Sequence, residues 1–188
     1  MSPDLENLLK RYNDRTLEII RLYEIKERIL KTYDQNSTCK DVQNALLYGI
    51  CHNAHILFFE YRNEKGKITP NNKETNYNNI VSCEKLQPKL REILQFQAHD
   101  KPNDQYGLLD EEQHLEEALW KEVIKISGVS CGDAHKEIEN LKIYRDKFLA
   151  HADQKYPLGV YHPKTAILAR LAYGFNVIIH HIYYVNLA

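Results

Sequence analysis

Apolar residues recur three and four positions apart along most of this chain, and no stretch alternates as a strand would. That period is the helical one. It predicts an all-α fold, a single helical-bundle domain over residues 1–188 with five to six helices. The first helix covers about residues 3–33: Ser2 caps it, Pro3 suits its first turn, and Leu5, Leu9, Tyr12, Ile19 and Tyr23 make one stripe. Asn36, Ser37 and Thr38 supply a turn with capping residues. A second helix over about 40–61 places Val42, Leu46, Asn53, Leu57 and Tyr61 near one face. Asn53 is polar on that apolar face and His55 is close by, which reads as a hydrogen-bonded polar pair in the core.

Residues 62–80 read as an exposed loop, because Gly66, Pro70 and five Asn between 71 and 79 form turns and resist helix. A shorter helix is expected over 81–97, with Pro88 marking a break or a start. Lys101 to Asp104 is another turn. Asp110 with Gln113 three residues on is a capping-box pattern, which opens a helix to about residue 126. Residues 127–132 link it to a helix from about Asp133 to His151, on which Ala134, Ile138, Leu141, Arg145 and Phe148 keep the helical period. Tyr156 to Gly159 breaks the chain. The last helix starts at His162 and Pro163, and Leu168, Leu171, Phe175, Ile178, Ile182 and Val185 form a heptad-like seam. Such a seam packs either inside the monomer or against a second copy.

Composition narrows the class. With 188 residues, 43% hydrophobic and 27% charged, the chain is long enough for one real core and is not disordered in type. Seven Gly and six Pro leave little punctuation, which favours long helices. The net charge of −1 does not announce a nucleic-acid binder. The distribution is less even: residues 107–139 carry nine acids and three Lys, whereas 140–170 carry six Lys or Arg and two Asp. Solvated faces account for this as well as a phosphate-binding patch does. Four scattered Cys, at 39, 51, 83 and 131, are expected to be reduced thiols in a cytoplasmic protein. No signal peptide is visible at the N-terminus. The apolar stretch from Ala166 contains Arg170, Asn176, His180, His181 and Asn186, so it reads as a buried helix rather than a membrane span.

The richest chemistry lies at residues 144–153, Tyr-Arg-Asp-Lys-Phe-Leu-Ala-His-Ala-Asp. In a straight helix Arg145 and His151 stand roughly 120° apart and about 9 Å along the axis. A long Arg side chain reaches down that distance if the last turn loosens, and the two heads then flank one phosphate. Arg offers a charged planar fork, and His an imidazole that titrates near neutrality. Asp146 and Asp153 are placed to orient them. The plainer reading is a helix terminus decorated with cations that the macrodipole favours.

Arg145, a polar Asp146, and His151 after five intervening residues resemble the HEPN superfamily (higher eukaryotes and prokaryotes nucleotide-binding), whose signature is Arg, four to six residues, then His. The ending from Phe148 to Asp153 is similar to the abortive-infection, AbiU-type branch, as loosely is Asn53-Ala54-His55. The resemblance implies a HEPN-like bundle and a metal-independent endoribonuclease acting as a toxin or phage-defence effector. The 2′-hydroxyl of the RNA would attack the neighbouring phosphate. His151 would move the proton and Arg145 would stabilise the charge that develops on the phosphate. Lys147 and Lys155 would help hold RNA. The implied partners are an RNA substrate, a second copy of the chain and an antitoxin protein, with no cofactor, membrane or DNA. Some HEPN toxins carry Tyr two residues after the His, where this chain has Asp153. A non-catalytic HEPN-type module that binds RNA, nucleotide or protein is the alternative.

No metal is expected. His180 and His181 are adjacent and point about 100° apart, and His151 with Asp153 or His162 has no ligand spacing. Ser130 and Cys131 sit in a linker with no nucleophile motif around them. Tyr183 and Tyr184 read as core or interface residues.

Overall fold

The computed structural model describes residues 3–33, 37–62, 68–70, 87–94, 111–144 and 163–185. Their order is α1 (Pro3–Thr32), α2 (Ser37–Phe59), β1 (Glu60–Arg62), β2 (Ile68–Pro70), α3 (Gln87–Ile93), α4 (Glu111–Ser127), α5 (Cys131–Tyr144) and α6 (Thr165–Val185). The N-terminal stripe becomes the buried face of α1, where Leu9, Tyr12, Thr16 and Ile19 are all covered. This face packs along both α2 and α6.

The bundle is assembled around α6, which also touches α2, α3, α4 and α5. Leu168, Leu171, Phe175, Ile178 and Ile182 are each at most 2% exposed, so the heptad-like seam is buried inside one chain. It is therefore closed to a second copy. Tyr12 meets Phe175 edge to face, with centroids 5.8 Å apart. Each large apolar side chain buried this way contributes about 1.5–3 kcal/mol. Gly174 lets α4 and α6 approach closely: a Cβ there would lie 2.5 Å from the Val123 carbonyl oxygen.

Boundaries depart from the sequence reading where tertiary contacts intervene. The second helix stops at Phe59, and Glu60–Arg62 pairs antiparallel with Ile68–Pro70, with Tyr61 opposite Thr69. The expected 62–80 loop therefore contains a short strand; three-residue partners are too short to show a period-2 pattern. The buried side of α2 is Ile50, Cys51, Asn53, Ala54, His55, Leu57 and Phe58, while Val42 is exposed. That face is broad because α1, α5 and α6 all cover it. Pro88 is the second residue of α3, so it marks a start. α5 opens at Cys131, two residues before the expected start at Asp133, because Ser130 caps it. Its expected continuation to His151 lies outside the described residues, as does the remainder of 81–97 beyond 87–94. Among the described residues, no helix is long and apolar enough to cross a membrane.

Candidate functional site

The six expected site residues, Arg145, Asp146, Lys147, His151, Asp153 and Lys155, all lie outside the described residues. The structure describes the frame on either side of them, with α5 ending at Tyr144 and the chain resuming at Pro163.

The start of α5 is fixed by local chemistry. The Ser130 hydroxyl oxygen accepts the Asp133 amide at 3.1 Å and its hydroxyl donates to Asp133 Oδ2 at 2.7 Å. This satisfies an otherwise unpartnered amide of the first turn and places a carboxylate at the positive helix end. Just upstream, Gly128 takes a left-handed φ of 61° and closes α4. Arg170 of α6 donates to the Ser127 carbonyl at 3.0 Å and the Gly128 carbonyl at 2.7 Å. The α4–α5 corner is thereby tied to α6.

Glu137 ties the far end of the frame. It is 1% exposed, yet its Oε2 accepts the Lys164 amide at 2.7 Å. The Lys164 carbonyl in turn accepts the amides of Ile167 and Leu168, so Lys164 holds the cap position of α6. Asn140 Nδ2 donates to Glu137 Oε1 at 3.3 Å. A buried carboxylate at a helix N-terminus with two such donors is satisfied rather than stranded. The clasp joins α5 to the head of α6 across the whole interval that contains Arg145 and His151. Sequence reading counted Glu137 only among the acids of an acidic stretch. Its register gave it away, since Ala134, Glu137, Leu141 and Tyr144 share the buried face of α5.

Two protonated groups stand beside this clasp. Burial pushes the Cys51 thiol up to about 12, the Glu137 carboxylate adds to the rise, and Lys26 partly offsets it. The Tyr144 hydroxyl is also pushed up to about 12, by burial first and then by Cys51 and Tyr48. Both keep their protons through neutral pH, so this end of the bundle holds a neutral thiol and, on Tyr144 itself, a neutral phenol.

Asn53 and His55, expected as a polar core pair, are each 7% exposed. Asn53 Oδ1 accepts from Arg15 Nη1 at 2.7 Å, and its Nδ2 donates to the Gly49 carbonyl at 2.9 Å. At the other end of α6 a cleft of about 340 Å³ lies between α1 and α6, with His180, Lys10 and Asp14 in its wall. Sixteen residues of helix separate Lys164 from His180, about 24 Å. The cleft is thus remote from the head of α6. His181 is exposed and Tyr183 packs against the core. Cys39, Cys51 and Cys131 are thiols, not disulfides. Among the described residues no three His, Cys, Asp or Glu side chains are grouped to hold a metal ion. No protein-family model, curated protein or solved structure matches the chain.

Proposed function

We propose that this protein is a metal-independent endoribonuclease of the HEPN type, a cytoplasmic toxin or phage-defence effector. The observation that carries the reading is Arg145-Asp146 followed by His151, in the stretch of sequence that follows Tyr144 in an all-α chain. Support comes from the architecture around that interval. A helical bundle is the expected fold, and Glu137 joins the helices on either side of the motif.

In this reading the RNA supplies its own nucleophile. The 2′-oxygen forms a bond to the adjacent phosphorus and gives up its proton, with His151 as the proton-transfer group. The bond from phosphorus to the 5′-oxygen breaks, and that oxygen takes a proton. Arg145 holds the phosphate while negative charge builds on its oxygens. The products are a 2′,3′-cyclic phosphate and a 5′-hydroxyl, and no water is consumed. Lys147 and Lys155 contact neighbouring phosphates. Two copies of the segment facing one cleft make a stronger phosphate trap than one. Because the α6 seam is buried within the chain, the pairing surface lies elsewhere.

The test is cleavage of total RNA by the purified protein, beside Arg145→Ala and His151→Ala. Each substitution is expected to lower the rate by about 10²–10⁴-fold without changing the circular dichroism. Undiminished cleavage by His151→Ala would falsify the assignment. Binding of RNA by the native protein with no change in fragment length would instead make it a non-catalytic module.

A further inference from the structure

The amide network between α1 and α6 decides which end of Asn13 is left over. The Thr16 hydroxyl gives its one proton to the Asn13 backbone carbonyl at 2.7 Å, so toward Asn176 the Thr16 oxygen acts as an acceptor. The Asn176 atom that meets it at 2.7 Å is therefore Nδ2, whose second proton goes to Asn13 Oδ1 at 3.0 Å. Asn13 thus turns its oxygen inward and keeps Nδ2 unused, with no protein partner among the described residues. Asn13 also lines the cleft between α1 and α6. The network therefore leaves that cleft an N–H donor from Asn13.

The rest of the wall sorts by chemistry. Lys10, three residues before Asn13 and so its neighbour on the helix surface, is a second group that only donates. Glu6 and Asp14, which only accept, stand one turn to either side of Lys10, about 6 Å along the axis. None of these three charges makes an ion pair among the described residues, although opposite signs alternate along one wall. Leu9 and Ile179, 0% and 2% exposed, supply an apolar floor, and the Tyr183 ring adds to it. At about 340 Å³ the cleft is at the small end of ligand pockets, which begin near about 300 Å³. That is room for one small molecule and not for a helix or a second copy of the chain. Two carboxylates against one ammonium disfavour a phosphate. Donors and acceptors side by side above an apolar floor match a molecule that carries both charges and an apolar body.

We propose that the α1–α6 cleft binds a small zwitterion, an α-amino acid with an apolar side chain. Its carboxylate sits on Lys10 Nζ and Asn13 Nδ2, its ammonium on Glu6 or Asp14, and its side chain against Leu9, Ile179 and Tyr183. The site does not depend on the nuclease reading. The experiment is calorimetric titration of the whole protein with L-phenylalanine and L-leucine, and with the amide and the N-acetyl derivative of L-phenylalanine. Lys10→Ala and the double variant Glu6→Gln, Asp14→Asn are titrated beside the native protein; all three positions are exposed, so the fold is kept. At least one of the two amino acids is expected to bind with a millimolar or tighter Kd. The amide, which lacks the carboxylate, and the N-acetyl derivative, which lacks the ammonium, are each expected to bind about 10-fold more weakly than L-phenylalanine or not at all. Each protein variant is expected to weaken binding roughly 3- to 30-fold, the low part of the range for a charge-assisted bond because the side chains are exposed. No binding of either amino acid at millimolar concentration overturns the proposal. Equal binding of the N-acetyl derivative would make this an anion site, and equal binding of the amide a cation site; either overturns it. Binding that either protein variant leaves unchanged places the ligand elsewhere and overturns it as well.

Discussion

Two buried polar sites flank the core, and they are built from different chemistry. Between α1 and α6, Asn176 Nδ2 donates to Asn13 Oδ1 at 3.0 Å and to Thr16 Oγ1 at 2.7 Å. Every group there is neutral at any pH the fold experiences. Between α2, α5 and the head of α6, three of the buried groups are ionisable: Glu137, Cys51 and Tyr144. The first site locks two helices in register. The second holds an acid, a thiol and a phenol at the boundary of the segment that contains Arg145 and His151. The ionisable side chains lie on the α5 side of the bundle, and the register lock has none.

The comparison can be broken in graded steps. Phe175→Ala removes the ring that packs on Tyr12 beside the neutral site, and is expected to cost about 3–5 kcal/mol in chemical denaturation. A loss below about 1 kcal/mol would mean the α1–α6 seam is not the core. Glu137→Ala strands the Lys164 amide at the head of α6 and should cost about 1–3 kcal/mol. Glu137→Gln keeps an acceptor and loses only the charge at the helix end, about 0.3–1 kcal/mol. Equal losses for the two variants would show that the carboxylate does not cap α6.

The ionisable site should also make the fold sensitive to alkali. The Cys51 thiol is raised from 9.0 and the Tyr144 hydroxyl from 10.0, each to about 12. Between the ordinary and raised values the unfolded chain has lost protons that the folded chain keeps. Stability therefore falls as pH rises, by at most about 1.4 kcal/mol per pH unit for each group. Denaturation midpoints measured at pH 8, 9.5 and 11 check this, and Cys51→Ala should flatten the earlier part of the decline. A midpoint that holds steady across that range would count against the burial of both groups. At the neutral site Asn176→Ala loses two hydrogen bonds, each worth about 0.5–1.5 kcal/mol, with no pH dependence.

The same contrast explains what the sequence made legible. The helical period identified the helices, and it placed Leu9, Tyr12 and Ile19 on the core side of α1 and Leu168 to Ile182 on that of α6. It did not reveal that the α6 seam closes inside the chain, since a heptad-like stripe looks the same in either setting. Nor did it find the clasp, because Glu137 acts on a backbone amide 27 residues away and no local pattern encodes that partner. The hairpin of β1 and β2 was hidden by its length, and the breadth of the buried side of α2 by its three neighbours. Asn53 was legible as a buried polar residue, but Arg15 as its partner depends on how α1 lies on α2.

The most direct test of the central claim is the chemistry of the RNA ends. Total RNA is incubated with the protein in EDTA, and the termini of any fragments are determined. The account predicts 2′,3′-cyclic phosphates paired with 5′-hydroxyls, absent when His151 is Ala. Fragments with 5′-phosphates, or cleavage that stops when divalent ions are removed, would contradict it.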